Sequence, residues 1–282
     1  MQSIRTHTLA PYINDWLTKT RHPRILHVFD HACNLTNEDR EVVSIVTPRI
    51  GNGPFSLVVE PELFFPEHVD AQTPVSVEAN QIRLGDLLIS TDSATQWNPR
   101  PNWERLHASR DSIPNLSIHL PARSLPVRLP THHSQFPIHL IPSLTSAFTH
   151  ADIPTAKQTA SHLAGLGIGL TPSGDDIIMG AIYAAWIIHP REIASALGSE
   201  VAETASALTS SLSAAWLKSA GRGEAGSLWH QLFEGMLTGG NIQSPIHKIL
   251  DIGHTSGADA LTGFTSVMTC WSESTNKETA VL

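Results

Sequence analysis

Between Asn98 and Pro142 the chain carries eight prolines, at 99, 101, 114, 121, 126, 130, 137 and 142. Proline locks φ and lacks an N–H, so a stretch this dense excludes a long helix and confines any strand to an edge. It therefore reads as a connection between two regions that fold by different rules. The chain's 282 residues suit one large or two modest domains. The division expected is 1–142, with its connecting region starting at about 98, and 143–282. Within the connection, Ile118, Leu120, Leu125, Val127, Leu129, Ile138, Leu140 and Ile141 are apolar residues that want burial.

Before the prolines, short apolar and β-branched runs at Ile25–Phe29, Val42–Val46, Phe55–Val59, Val75–Val77 and Leu87–Ser90 are separated by polar or Gly/Pro punctuation such as Gly51-Asn52-Gly53-Pro54. These are strands of a barrel or sandwich. After Ser143 the pattern turns helical, with Ala-rich stretches at 156–166, 177–188, 192–218, 223–237 and 258–271 broken by Gly or Pro. The expected class is α+β, a β-rich N-terminal domain followed by a mostly α-helical C-terminal one. Ile177–Ile188 is apolar nearly all round, which predicts a helix buried on every side.

A net charge of −8 without any run of Lys or Arg argues against a nucleic-acid or anionic-membrane surface. Cys33 and Cys270 are the only cysteines and form no CxxC pattern, which fits a reducing compartment. The N-terminus alternates polar and apolar residues without an uninterrupted apolar run, and no segment approaches the length of a membrane span. The expected location is cytoplasmic.

Gly165-Leu166-Gly167-Ile168-Gly169-Leu170-Thr171-Pro172-Ser173-Gly174-Asp175-Asp176 runs directly into the buried helix. Alternate glycines permit a loop whose backbone comes close to a ligand. Ser173 and Asp176 have the spacing of a capping box, with Ser173 as N-cap and Asp176 as its reciprocal partner. Asp175 has no capping duty and is open to work as an acceptor, a base or a metal ligand.

The motif has a second copy. Ser173-Gly174-Asp175-Asp176-Ile177-Ile178-Met179-Gly180 aligns without gaps on Ser256-Gly257-Ala258-Asp259-Ala260-Leu261-Thr262-Gly263. The shared glycines predict two related helix starts packed together with their positive ends converging on one small anionic substrate. Gly167, Gly169, Thr171, Ser173, Gly174, Ser256 and Gly257 would bind it, mainly through main-chain N–H groups. Asp175, Asp176, Asp259 and His254, which precedes the second motif, would form the reactive group. Ser213, on the hydroxyl-rich segment Thr209–Lys218, is a further binding candidate. His27, His31 and Cys33, and the pair His132-His133, lack metal-site spacing, so no metal ligand is assigned and no cofactor is certain. Mg held by the aspartates is the one ion left open.

At these residues the sequence resembles a bacterial family that carries Gly-x-Gly-Leu-Thr-Pro-Ser-Gly-Asp-Asp and a later Gly-His-x-Ser-Gly-x-Asp, matched here by Gly167–Asp176 and Gly253–Asp259. The segment from Thr209 and the turn Gly51–Pro54 are similar to further family segments. The family is typified by a subunit of oxamate carbamoyltransferase in anaerobic allantoin breakdown. The resemblance implies a transferase that moves a carbamoyl group between oxalurate and phosphate, giving oxamate and carbamoyl phosphate, beside other subunits. It also leaves open a non-catalytic assembly or metabolite-sensing subunit, or a Mg-dependent phosphate or nucleotide enzyme. The Ser-x-x-Arg-Thr phosphate motif of aspartate and ornithine carbamoyltransferases is missing, so their fold is not implied.

Overall fold

The computed structural model describes residues 2–60, 63–113 and 136–279, and the chain divides into two compact units. One comprises Met1–Pro99 with Ala225–Ser227, and the other Arg100–Glu224 with Leu228–Leu282. Much of the proline-dense connection, including Ile118, Leu120, Leu125, Val127, Leu129 and the pair His132-His133, lies outside the described residues.

The first unit is a nearly closed, barrel-like sheet. Its strands are β1 (Gln2–Leu9), β2 (Arg24–Phe29), β3 (Ala32–Thr36), β4 (Val42–Val46), β5 (Ser56–Glu60), β6 (Val75–Glu78), β7 (Gln81–Leu84), β8 (Leu87–Ser90) and β9 (Thr95–Gln96). They lie in the order β2-β3-β4-β5-β1-β8-β7-β6, with β9 on β1. β1 is the central staple, antiparallel to β5 and parallel to β8. It buries Ile4 and Thr6 and exposes Arg5 and His7, as a half-buried strand requires, and the irregularity between Thr6 and Thr8 moves the next buried position to Leu9. The N-terminal alternation was thus a strand signal, followed by a short helix α1 (Tyr12–Lys19) that seats Ile13, Trp16 and Leu17 in the core. β4 and most of β5 are buried along their length, which explains their unbroken Val, Ile and Leu. In the Gly51–Pro54 turn, Thr8 donates its hydroxyl to Asn52 Oδ1 at 2.6 Å and Ser227 N donates to the Asn52 carbonyl at 2.8 Å.

The second unit is helical: α2 (Trp103–Ala108), α3 (Ile141–Thr149), α4 (Ile153–Leu163), α5 (Ser173–Ile188), α6 (Arg191–Ser206), α7 (Ser211–Gly221), α8 (Ser227–Thr238, entered from the first unit), α9 (Gln243–Leu250) and α10 (Ser256–Thr279). α5 is its axis, buried from Ser173 to Ile188 except at Met179. An aromatic cluster of Trp103, Tyr183, Trp186, Trp229, Phe233 and Phe264 packs along it, with the Trp103 and Trp186 rings 5.8 Å apart. Both indole N–H groups are satisfied, Trp103 by the Gly223 carbonyl at 2.7 Å and Trp186 by the Ala220 carbonyl at 3.0 Å.

The stretch expected as one helix over 192–218 is two, α6 and α7. Ser210 ends the continuity, because its side chain accepts from Ser213 N and caps α7. The last helix runs on to Thr279, well past the 258–271 of the periodic pattern. Among the described residues no helix is long and apolar enough to cross a membrane.

Candidate functional site

The two copies of the Ser-Gly-x-Asp-x-x-x-Gly motif open α5 and α10, and their glycines determine how the helices cross. A Cβ on Gly180 would lie 1.8 Å from the Ala260 carbonyl oxygen, and a Cβ on Gly263 2.0 Å from that of Ile177. Ile177 and Ala260 occupy equivalent places in the repeat, so the contact is reciprocal. The motif's other glycines act at the helix starts. A Cβ on Gly174 would stand 1.9 Å from the Leu163 carbonyl oxygen at the end of α4, and one on Gly257 1.6 Å from that of Ile249 on α9. Only glycine permits these four approaches.

The side chains follow the same reciprocity. Ser256 of α10 hydrogen-bonds Asp176 of α5, and Ser173 of α5 hydrogen-bonds Asp259 of α10. Thr171 adds a second hydroxyl to Asp176 and bonds Ser256 Oγ at 2.7 Å, while Thr255 adds one to Asp259. The expected capping box is therefore not formed. Pro172 occupies the N-cap position of α5 without a side-chain cap, Ser173 lies inside the first turn, and its hydroxyl serves the opposite helix. A crossing close enough to swap partners outcompetes the local bond.

Asp175 also departs from expectation, because it is structurally engaged. Its Oδ1 accepts from Gly165 N at 3.0 Å, its Oδ2 from the Thr209 hydroxyl, and Ser213 supplies a third hydrogen bond. It thereby ties the glycine loop to the start of α7. Ser210 closes the same junction by donating to the Leu170 carbonyl at 2.8 Å. The structure thus brings together Thr171, Ser173, Asp175, Asp176, Ser213, Ser256 and Asp259. Thr209, Ser210 and Thr255 belong with them. Thr209 and Ser210 stood out only as hydroxyls in a helical pattern, with no mark of the loop they form.

His254 is different. It is exposed in the turn before α10 and makes no hydrogen bond to a described residue.

All three carboxyls are buried, and burial raises the affinity of each for its proton. Desolvation is the main cause in each case. In all three the hydrogen bonds oppose it. Asp176 is raised furthest, since the neighbouring Asp259 and Asp175 add repulsion. One oxygen of the Asp176 carboxyl and one of the Asp259 carboxyl, Oδ2 in both, are buried without a hydrogen-bond partner among the described residues.

The main-chain cradle expected for an anion is spent in part. Gly174 N donates to the Leu166 carbonyl at 2.9 Å, and Asp175 N and Asp176 N both donate to that of Pro172. On α10, Gly257 N and Asp259 N donate to the carbonyls of Ile252 and Thr255. Among the described residues, none accepts from the N–H groups of Gly167, Ile168, Gly169, Leu170, Thr171 or Ser173. These remain the loop's free donors, on a backbone that Gly167 and Gly169 carry at φ 131° and 104°. No group of three or more His, Cys, Asp or Glu among the described residues is arranged to hold a metal ion, so the Mg expectation has no ligand set there.

Fold and site together define a two-unit protein, a barrel-like sheet and a helical unit in which paired helix starts exchange Ser–Asp hydrogen bonds over a buried acid group. Family comparison identifies it further. Residues 3–96 match the AllH family N-terminal domain, and residues 163–268, which hold every residue of the site, match the oxamate carbamoyltransferase subunit AllH. The chain belongs to the AllH family. No solved structure matches it.

Proposed function

We propose that this chain is a subunit of an oxamate carbamoyltransferase and carries the acid–base group of the reaction on α5 and α10. The observation that carries the proposal is the location of the family match, since 163–268 spans both helix starts and the loops that link them. In the reaction, a phosphate oxygen attacks the carbamoyl carbon of oxalurate. The bond from that carbon to the oxamate nitrogen then breaks, and the nitrogen must take up a proton as oxamate leaves. Asp176, whose hold on its proton burial and the neighbouring Asp259 strengthen, is the proton donor, and in the reverse direction its carboxylate takes the proton back. A carboxyl whose pKa burial raises is suited to act as a general acid.

The anionic ends of the substrates belong on the other side of the site, away from the aspartates. There the free N–H groups of Gly167, Ile168 and Gly169 supply donors, and the hydroxyls of Thr171 and Ser256 stand at the boundary between the two ends. Asp175 and Ser213 position the loop.

An assembly role is favoured by one separate observation. Leu166, Ile168 and Leu170 stand 38%, 59% and 40% exposed between the loop glycines, an apolar surface that suits contact with another subunit.

Reconstitution tests the proposal. Formation of carbamoyl phosphate from oxalurate and phosphate is measured with the complete set of subunits, with this chain omitted, and with Asp176→Asn in its place. The expected result is loss of turnover on omission and a fall of about 10²-fold or more in kcat for the variant. Full activity of the variant assigns the chain to assembly, and full activity without the chain overturns both roles.

A further inference from the structure

Three surface segments meet around the site, and each holds aliphatic side chains out in solvent. Residues 166–170 are exposed throughout and present Leu166, Ile168 and Leu170. Leu208 is 52% exposed and Ile252 42%. The segments are joined to one another. A Cβ on Gly165 would stand 2.6 Å from the Leu208 carbonyl oxygen, and Ser210 Oγ donates to the Leu170 carbonyl. Ser256, bonded through its hydroxyl to Thr171, closes the turn 251–254, where the Ile252 carbonyl accepts from Gly257 N. The loop's shape calls for glycine at 165, 167 and 169, where φ is positive, but makes no such demand on the residues between. Polar side chains would serve there equally well in water. Five exposed aliphatic side chains on joined loops mark a surface made to be covered.

The same segments lack a cation. No Lys or Arg occurs in 163–188, 206–217 or 251–267, where His254 is the one basic side chain, while Asp175, Asp176 and Asp259 are buried there and Asp251 is exposed. The proposed reaction brings a phosphate and a carboxylate to this place, with loop N–H groups as the chain's own donors. A second copy of this chain would meet the patch with the same acids and the same lack of cations, so charge favours a different partner. We infer that this face docks another subunit of the transferase, whose surface sets an arginine among apolar side chains and brings it to the loop N–H groups. A guanidinium fits the paired oxygens of a carboxylate or phosphate, and the apolar contacts around it exclude water. The anion-binding half of the site is then complete only in the assembly. The inference rests on the carbamoyltransferase reading and adds to it which face meets the partner and what the partner contributes.

Association with the other subunits is measured by sedimentation velocity for the wild type, Ile168→Asp, Leu208→Asp and Ile193→Asp, the last at an exposed residue of α6 outside these segments. The chain alone should sediment as a monomer. The first two substitutions set a charge into an apolar contact and should weaken the complex at least about tenfold, and the third should leave it unchanged. Amide hydrogen exchange of the wild type needs no variant to fold. In the complex the N–H groups of 166–170 should exchange at least about tenfold more slowly than in the chain alone, and added phosphate should slow them further in the complex only. Self-association through this face, a complex that withstands both substitutions in folded variants, loop amides unchanged by the partner, or equal phosphate protection without the partner would each overturn the inference. The carbamoyltransferase reading fails separately, when the assembled enzyme turns over without this chain, whatever the docking measurements give.

Discussion

Asp175 and Asp176 are adjacent and identical in type, yet the structure separates their work. Asp175 looks back along the chain, holding Gly165 N and the Thr209 hydroxyl, so the glycine loop and the start of α7 both depend on it. Replacing it by Asn keeps the shape but turns one acceptor into a donor facing another donor. We expect Asp175→Asn to cost about 1–3 kcal/mol, the price of an unmade buried bond. The check is the urea midpoint at unchanged m. A variant that melts with the wild type would remove Asp175 from the loop's support. Sequence reasoning gave Asp175 no structural duty because its partners lie at Gly165 and Thr209, distances along the chain at which no local rule for helix starts applies. The local cap read for Asp176 gives way to bonds with Ser256 of α10 and Thr171 of the glycine loop.

For the elements, the decisive residues are those with no side chain. α5 and α10 meet where Gly180 and Gly263 leave room for a main-chain carbonyl on the facing helix. Ala is the better helix former by roughly 1 kcal/mol, so a glycine kept in mid-helix needs a packing reason. We expect Gly180→Ala and Gly263→Ala to destabilise by about 1–3 kcal/mol or more through overpacking, in spite of their gain in propensity. Gly198 on α6 is the milder comparison, since a Cβ there would stand 3.3 Å from the buried Ile182 Cγ2 and 3.4 Å from the Gly221 carbonyl oxygen. Gly198→Ala should cost clearly less than either. Thermal melts of the three variants decide it: similar shifts for all three would mean that the α5–α10 crossing does not depend on close approach. The repeat made the pair of helix starts legible in the sequence. The short helices α3 and α9 were not, because eight or nine residues give too little periodicity to stand above their Pro and polar content.

Across the whole molecule, the buried acids set the dependence of stability on pH. Asp175, Asp176 and Asp259 all hold their protons to higher pH in the fold than in the unfolded chain, where the ordinary value is 3.8. Above that value the unfolded chain has released protons that the fold retains, so unfolding becomes easier as pH rises, until the folded carboxyls also ionise. Glu38, Asp70 and Asp152 act in the opposite sense at lower pH, since hydrogen bonds hold each below its ordinary value and favour the fold only while they are ionised. The acids therefore make stability decline as pH rises above 3.8, a fall that His27 and His189 oppose near 6.5, because burial lowers both and protonation of the unfolded chain is lost there. The decline should be shallower in Asp176→Asn, which has one raised carboxyl fewer. Melting temperatures of both proteins across that range test this, and parallel curves would show that Asp176 does not titrate with folding.

The sequence by itself determined the fold class. Strand runs such as Val42–Val46 and Leu87–Ser90, the apolar helix Ile177–Ile188 and the two Ser-Gly-x-Asp starts are all local patterns. Alternation, helical period and glycine placement act over a few residues and can be read without knowing what lies opposite. The tertiary structure alone decided where the hydroxyls point, that each serine bonds the other helix's aspartate, and that one oxygen of each acid is left without a donor. Those outcomes depend on a crossing between segments more than eighty residues apart, as the Thr171–Ser256 bond shows. A hydrogen bond is made with whatever donor is nearest in space, and a linear pattern does not contain that distance.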